Sequence, residues 1–444
     1  MAEITLLAAG TRPARALHLT YCTNVHPGQS LADISRYLTN ETAAIKKQVF
    51  PDRAMALGLR IGTQQAEELM GVAAPAGPFA TVEAALLDDA IYDAPPTARL
   101  TQFAEELAAG GYYLWAVNAF PIQDFHAPRV KEQVYQPDWS RPERAASTIW
   151  IARAVAGLLG ARGEGSLSVP TGVFKGEPGA QELTEACAQT IALTAAALAK
   201  LQRVTGKTVR LGLEPEPFTT AESLGDFKTY FETQLLPAGV ARIVRHLAVS
   251  RDLAERIFRD LVGLNLDLCH QAIEFDDMPG ALTMLHAAGI RVIGIHVSSA
   301  LAIRDFSAAT NALEYLRQFN EPRYLHQVVG RRKGSQALLH WPDLPDFFKF
   351  PQGFMEELDE IRVHFHVPIF CASMGPLGTT QPQILPALRR AAELDLCDTW
   401  MIETYTWNLL LKKGNSAIIQ SSVGSVVEGI IEEFAWLKEQ MPWR

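Results

Sequence analysis

The chain has 444 residues, of which 48% are hydrophobic and 20% are charged. This composition is ordinary for a globular protein with a large buried core, and it excludes extensive disorder. The formal net charge is −9, and no basic run is longer than the short group 331–333. We therefore expect no nucleic-acid partner and no binding to anionic membranes.

The sequence also lacks the signals of export and of membrane insertion. Its N-terminal apolar stretch is too short for a signal peptide, and no run of about 18 or more apolar residues is present. Five cysteines are scattered without CxxC spacing, which argues against a disulfide framework and against a structural zinc site. We expect a cytoplasmic protein, and the sequence leaves its oligomeric state open.

Strand-like and helix-like segments alternate along the first half of the chain, as in a parallel sheet wrapped by helices. An insertion rich in Ala and Pro is predicted at 73–96. Helices are predicted at 30–47, 97–109, 142–159 and 182–202. The corresponding strands are predicted at 17–24, 56–61, 113–118 and 165–169.

Five strand-like segments in the second half each end at a potential metal ligand. The parallel strands of a (β/α)8 barrel direct their C-terminal ends to one face, so ligands that are distant in sequence converge there. A divalent cation needs several oxygen and nitrogen ligands at once. The segments end at Glu214, at Asp267 with His270, at His296, at His364 with His366, and at Glu403. Any one of these residues is equally well explained as a helix cap or a surface residue, but the series predicts a metal centre.

The interval between His296 and Glu403 is far longer than one barrel helix requires. We predict one elaborated barrel domain over 1–444, with an insertion at 300–370 between strands 7 and 8. The alternative is that the segment with His364 and His366 is the true seventh strand. We favour the insertion, because the step from Asp267 to His296 already has the length of one strand–helix unit.

Further polar residues at strand ends are candidates for contacts with substrate. They are His270, His326, the His364–Phe–His366 pair, Asn118 and Arg60. Capping or hydrogen bonding within the core explains each of these residues as well. The sequence contains neither a nucleotide-binding GxGxxG or GxxxxGK[ST] motif nor a GxSxG nucleophile motif, so it gives no support to a nucleotide cofactor or a serine hydrolase.

The order Glu, Asp-x-x-His, His, Glu resembles the xylose-isomerase-like TIM-barrel superfamily of sugar epimerases, sugar-phosphate isomerases and apurinic endonucleases. Several longer strings resemble the EboE-type metabolite traffic proteins, which are associated with bacterial gene clusters that make or move a secondary metabolite. These strings are HLTYCTNVHPG at 18–28, NAFP at 118–121, VKEQVYQPDW at 130–139, YLHQV at 324–328, HFHVP at 364–368 and ETYTW at 403–407.

The resemblance implies a xylose-isomerase-like (β/α)8 barrel that binds one Mn, Mg, Co or Zn ion. By position, the ligands would be Glu214, Asp267, His296 and Glu403, and the two glutamates would also move the proton in catalysis. The resemblance further implies that His270 contacts the substrate. His326 matches an extra histidine that helps to hold further ions in endonuclease-like relatives.

Our leading hypothesis is a metal-dependent enzyme that isomerises or epimerises a sugar, cyclitol or related polyol in a secondary-metabolite pathway. One alternative is metal-assisted hydrolysis of a phosphoester, with two or three ions held by additional histidines, namely His270, His326, His364 and His366. Another is a non-catalytic protein that binds or carries a pathway intermediate. Metal stoichiometry and turnover discriminate between these hypotheses.

Overall fold

Eight parallel strands, with the short strand Ile4–Leu6 paired antiparallel to the first of them, form the central sheet of the computed structural model. The structure describes residues 4–6, 15–120, 122, 124–304, 306, 310–412 and 423–441. The parallel strands are numbered β1 to β8 in chain order. They occur in the sheet in the order β1-β8-β7-β6-β5-β4-β3-β2. This order confirms the predicted α/β barrel. The strands are β1 (Arg15–Tyr21), β2 (Met55–Arg60), β3 (Tyr112–Asn118), β4 (Glu164–Pro170), β5 (Thr208–Glu214), β6 (Val262–Asp267), β7 (Val292–Val297) and β8 (Thr399–Ile402).

The barrel is nearly closed by the approach of β1 to β2, which a single parallel bridge between Cys22 and Gly58 connects. Gly58 is required at this seam, because a Cβ there would lie 2.1 Å from Sδ of Met401 and 2.8 Å from the carbonyl oxygen of Tyr21. Every residue of β2, β6 and β7 is buried. Barrel strands have helices on one side and packed side chains on the other, so near-continuous apolar runs are expected of them.

Helices surround the barrel on its outer side. The predicted helix at 30–47 is divided at Asn40, whose side-chain amide donates to the carbonyl oxygen of Arg36 and competes with helical hydrogen bonding.

No helix among the described residues is long and apolar enough to cross a membrane. The helices before β6 are Leu31–Thr39, Glu41–Val49, Thr63–Met70, Phe79–Leu86, Ala90–Asp93, Ala98–Ala109, Pro142–Leu158, Thr184–Thr205, Leu224–Tyr230, Leu236–Leu247 and Arg251–Leu261. Those after β6 are Leu268–Ile273, Met278–Ala287, Thr310–Leu316, Leu344–Phe347, Gln352–Met355, Ile384–Glu393, Trp407–Lys412 and Val426–Gln440.

A second sheet of six strands follows β7. Its strands pair antiparallel in the order Leu338–Trp341, Val328–Arg332, Leu358–Val363, Leu301–Arg304, Leu377–Thr379, Ser373–Met374. The strand that precedes His364 therefore belongs to this sheet, while β7 with His296 lies between β6 and β8 in the barrel. The inserted strands extend to Thr379, beyond the predicted end at 370.

Candidate metal centre

Four side chains meet at the C-terminal ends of β5, β6, β7 and β8. Glu214 and Asp267 are the last residues of β5 and β6, His296 lies near the end of β7, and Glu403 directly follows β8. All four are buried. Each offers one ligand atom, and these atoms all lie within 4.8 Å of one another. The structure thus brings together the four residues that were predicted as ligands, as the common direction of barrel strands requires.

His296 Nδ1 lies at the middle of this group. It is 2.9 Å from Glu403 Oε2, 3.5 Å from Glu214 Oε1 and 3.7 Å from Asp267 Oδ2. Burial alone would lower the pKa of His296, but Glu403, Glu214 and Asp267 raise it well above its ordinary value. Three buried carboxylates around one imidazole form a strongly negative site, which stabilises a positive charge at its centre.

Polar groups of the barrel hold one oxygen of each of two ligands. Asn265 Nδ2 donates to Glu214 Oε2 at 3.0 Å, and Ser298 Oγ donates to Asp267 Oδ1 at 2.8 Å. The backbone N–H of His270 also donates to Asp267 Oδ1, so this carboxylate caps the helix Leu268–Ile273 as well as facing the centre. Such outer contacts fix the orientation of metal ligands.

Glu403 is held in the same way by two asparagines, Asn24 just after the neighbouring strand β1 and Asn118 at the end of β3. Asn24 Nδ2 and Asn118 Nδ2 donate to Glu403 Oε1 at 2.8 and 3.1 Å. Ser168 Oγ in turn donates to Asn118 Oδ1 at 2.5 Å. Glu403 Oε2 is left to face His296, in the direction of the other ligand atoms.

Three ligand atoms that face the centre lie within ion-pair distance of oppositely charged groups, but none forms a hydrogen bond of good geometry in the described part of the chain. These atoms are Glu214 Oε1, Asp267 Oδ2 and His296 Nδ1. Buried polar atoms without partners are costly, and native proteins seldom retain them without a reason. A divalent cation bound by these atoms would compensate all of them at once, and three carboxylates with one imidazole suit Mn, Mg, Co or Zn. The residues present therefore fit a metal ion.

Three further histidines lie beside the centre. His364 Nδ1 is 2.7 Å from Gln327 Oε1, and His366 Nδ1 is 2.8 Å from the carbonyl oxygen of Glu403. Because an oxygen acceptor engages each Nδ1–H, Nε2 of both rings carries the lone pair. His364 Nε2 is 3.1 Å from His270 Nε2. The structure thus assembles His270, His364 and His366 into one cluster, although His364 and His366 follow a strand of the inserted sheet.

Glu216 completes a second group of potential ligands. Atoms of Glu216, His270 and His364 lie within 4.8 Å of one another. Burial raises the pKa of Glu216 to about 7. Burial and the nearby His270 and His366 hold the pKa of His364 well below its ordinary value. A neutral imidazole is the form that binds metals and accepts hydrogen bonds from hydroxyl groups.

The other predicted substrate residues have different surroundings. His326 is fully buried, and its ring nitrogens contact Glu321 Oε1 at 3.0 Å and the carbonyl oxygen of His364 at 2.8 Å. Arg60 ends β2, with Nη2 3.4 Å from Gln29 Oε1. Neither residue lines the cavity above the centre. Asn118 contacts Glu403, so it helps to orient one of the predicted metal ligands.

Sequence reasoning missed the role of Asn265 and of Gln327. Asn265 lies two residues before Asp267 on β6, and side chains two apart on a strand share a face. That spacing was a usable signal. Gln327 orients His364 across the insertion, and no local pattern in the sequence indicates this contact.

A small cavity of about 50 Å³ opens above the ligands. Phe125, Tyr324 and Tyr405 form one wall, with ring centroids between 4.9 and 5.5 Å apart. Glu214, Glu403, Glu216 and three histidines line the other side. The cavity thus combines an aromatic wall with an acidic, imidazole-rich wall.

Comparisons with known proteins find similar chains among solved structures. No protein-family model and no curated protein matches the chain. The chain is similar to the probable 3-DHS dehydratase AsbF involved in petrobactin synthesis from Bacillus anthracis, with 10% identity over 92% of this chain and 100% of that chain and a TM-score of 0.38. It is also similar to a xylose isomerase-like TIM barrel protein from Mycobacterium smegmatis in complex with magnesium, with 14% identity over 59% of this chain and 84% of that chain and a TM-score of 0.28. Neither likeness bears on the site, and the barrel assignment rests on the strand order of this chain.

Proposed function

We propose that this protein is a divalent-metal-dependent enzyme that isomerises or epimerises a sugar, a cyclitol or a related polyol. The supporting observation is that Glu214 Oε1, Asp267 Oδ2 and His296 Nδ1 are buried around one point without a hydrogen bond of good geometry in the described part of the chain, with Glu403 Oε2 beside them. Glu214, Asp267, His296 and Glu403 would hold the ion. When bound, the ion would supply Lewis acidity that polarises a carbonyl and the adjacent hydroxyl.

The side chains around the centre would perform the remaining steps. Glu214 and Glu403 would remove a proton from one carbon and return it to a neighbouring carbon or to the opposite face. His366 Nε2, which is buried without a hydrogen-bond partner in the described part of the chain, would accept a hydrogen bond from a substrate hydroxyl group. His270 and His364 would contact the substrate beside it. Phe125, Tyr324 and Tyr405 would pack against the ring and exclude water.

Metal content per chain is the first test. Protein purified without added metal or an affinity tag is expected to contain about one ion, and a Glu214→Ala, Asp267→Ala double variant is expected to lose it. Glu433→Gln is a matched control, because Glu433 is a buried carboxyl that contacts Thr404 and Trp407 instead of the centre. A wild type that contains no metal and rebinds none would refute the proposal.

Turnover is the second test. Glu403→Gln keeps the shape of the side chain but removes its charge, so it is expected to abolish activity in a screen of sugars and cyclitols while the fold stays intact. Circular dichroism and thermal unfolding check the fold. A Glu403→Gln variant as active as the wild type on the same substrate would show that Glu403 has no role in proton transfer.

A second candidate function is metal-assisted hydrolysis of a phosphoester. The second group of potential ligands, Glu216, His270 and His364, supports it because it adjoins the first four. This alternative predicts two or more ions per chain. It also predicts hydrolysis of a generic phosphoester such as p-nitrophenyl phosphate, which the isomerase proposal does not.

We also propose, from the resemblance to EboE-type metabolite traffic proteins, that the enzyme serves a secondary-metabolite pathway. Gene deletion followed by metabolite profiling tests this role. Accumulation of a polyol precursor would support it, and an unchanged profile under producing conditions would contradict it.

A further inference from the structure

A second cavity lies on the outer side of the barrel, between helices. We call it the outer cavity. Its volume is about 280 Å³, and none of its lining residues also lines the cavity above the metal centre. The helices Pro142–Leu158 and Thr184–Thr205 form its floor, and the segment between β2 and β3 covers it. Most of the wall is apolar, with Ile91, Tyr92, Leu100 and Leu201 among the lining residues.

Arg153 is a buried cation in this wall. The residue is only 7% exposed, and its guanidinium carbon lies 4.5 Å from the ring centroid of Trp150. Its Nη1 is buried without a hydrogen-bond partner, and no carboxylate within the described ranges forms an ion pair with Arg153. Buried arginines are normally paired, because removing the charge from water is costly. Arg153 therefore has an unsatisfied requirement for an anion.

The neighbouring cations show that this lack of a partner is local. Lys200 and Arg203, on the helix Thr184–Thr205, both form ion pairs with Asp89 at 2.7 Å. Lys207, at the edge of the outer cavity, contacts only the carbonyl oxygen of Gly160 in the described structure and retains further N–H donors. The outer cavity thus has two cations without acids beside an apolar wall.

We propose that the outer cavity binds a small amphiphile whose carboxylate or phosphate group contacts Arg153. The planar guanidinium can donate two parallel hydrogen bonds to either group, and Lys207 adds a second positive charge. The apolar part of the ligand packs against Ile91, Tyr92, Leu100 and Leu201. The volume lies near the lower end of the range for ligand sites, which suits a short chain or a single ring. This site is separate from the metal centre.

Calorimetric titration of the full chain with three probes of equal chain length tests the proposal. Octanoate and octyl phosphate carry the two head groups, and octanol is the neutral control. We expect at least one anionic probe to bind in the micromolar to millimolar range, with octanol at least tenfold weaker. Which anion binds more tightly identifies the head group. The proposal is overturned if neither anion binds at millimolar concentration, or if octanol binds equally well.

Variants locate the binding. Arg153→Met keeps an unbranched side chain without the charge, and it is expected to weaken the anionic probe at least tenfold. Arg203→Met removes an exposed, paired arginine from the neighbouring helix and is expected to leave the affinity unchanged. Equal affinity in folded Arg153→Met protein would overturn the proposal. If Arg153→Met does not fold, Lys207→Met carries the test: a loss of affinity of threefold or more supports the site, and unchanged affinity overturns it.

Discussion

Removing the hydroxyl of Ser298 is expected to weaken metal binding without removing a ligand. Ser298 is fully buried, and its Oγ donates to Asp267 Oδ1 at 2.8 Å while accepting from the backbone N–H of Cys269 at 2.8 Å. A hydrogen bond to a charged group contributes about 1.5–3 kcal/mol. Since about 1.4 kcal/mol corresponds to a tenfold change, Ser298→Ala should raise the Kd for metal by about 10- to 100-fold.

The assay is calorimetric titration of metal-stripped protein with Mn²⁺. Ser299→Ala is the matched control, because Ser299 is equally buried but its Oγ faces Thr380 Oγ1 at 3.4 Å instead of a ligand. Both variants remove one buried hydroxyl, so a general loss of stability would affect both. A folded Ser298→Ala variant that binds Mn²⁺ within about threefold of the wild type would refute the reasoning that outer contacts orient the ligands.

Three further predictions concern stability. Gly429→Ala should lower the free energy of unfolding in urea by about 1–3 kcal/mol, because the new Cβ would lie 2.5 Å from ring atoms of the buried Trp407. Gly353→Ala is the control and should cause no such loss, because nothing lies within 4 Å of its new Cβ. Equal losses in the two variants would contradict this explanation. Burial raises the pKa of Glu433 to about 7 from an ordinary 4.5, so between these values the folded state binds more protons than the unfolded chain, and stability falls by about 3 kcal/mol as pH rises. Glu433→Gln should make the loss of stability between pH 4 and 8 smaller by about 3 kcal/mol, whereas the exposed Glu439→Gln should leave it unchanged. An equal loss in Glu433→Gln and in the wild type would count against the buried proton. Chelation with EDTA should lower the unfolding midpoint, and adding Mn²⁺ back at a hundred times its Kd should raise the free energy of unfolding by about 2.7 kcal/mol. A midpoint that responds to neither treatment would argue against metal binding in the native state.

Much of the barrel could be predicted because its signals are local. The apolar runs that end at Glu214, Asp267 and His296 are buried segments of strands, and their order along the chain is their order in the sheet. The resemblance to a known superfamily added the ligand order. The division of the first helix at Asn40 was missed, because competition between a side-chain amide and the backbone is settled by a single contact.

The inserted region was the least predictable part. His364 and His366 read as the end of a strand, but their strand pairs with inserted strands and its register depends on partners more than 25 residues away. Nothing local in the sequence shows that these two rings approach His270, or that Gln327 orients one of them. Likewise, Arg153 is one of many helical arginines until packing shows that its buried Nη1 has no hydrogen-bond partner among the described residues.

The sequence by itself determined the barrel and the residue types at its strand ends, because alternation, burial and chain direction act over a few residues and apply to every parallel strand. Only the tertiary structure decided which oxygen of each carboxylate faces the centre, which donors hold the other oxygen, and which buried charges lack partners. Those properties depend on distances between side chains from different elements, and packing fixes such distances only when the whole chain is folded.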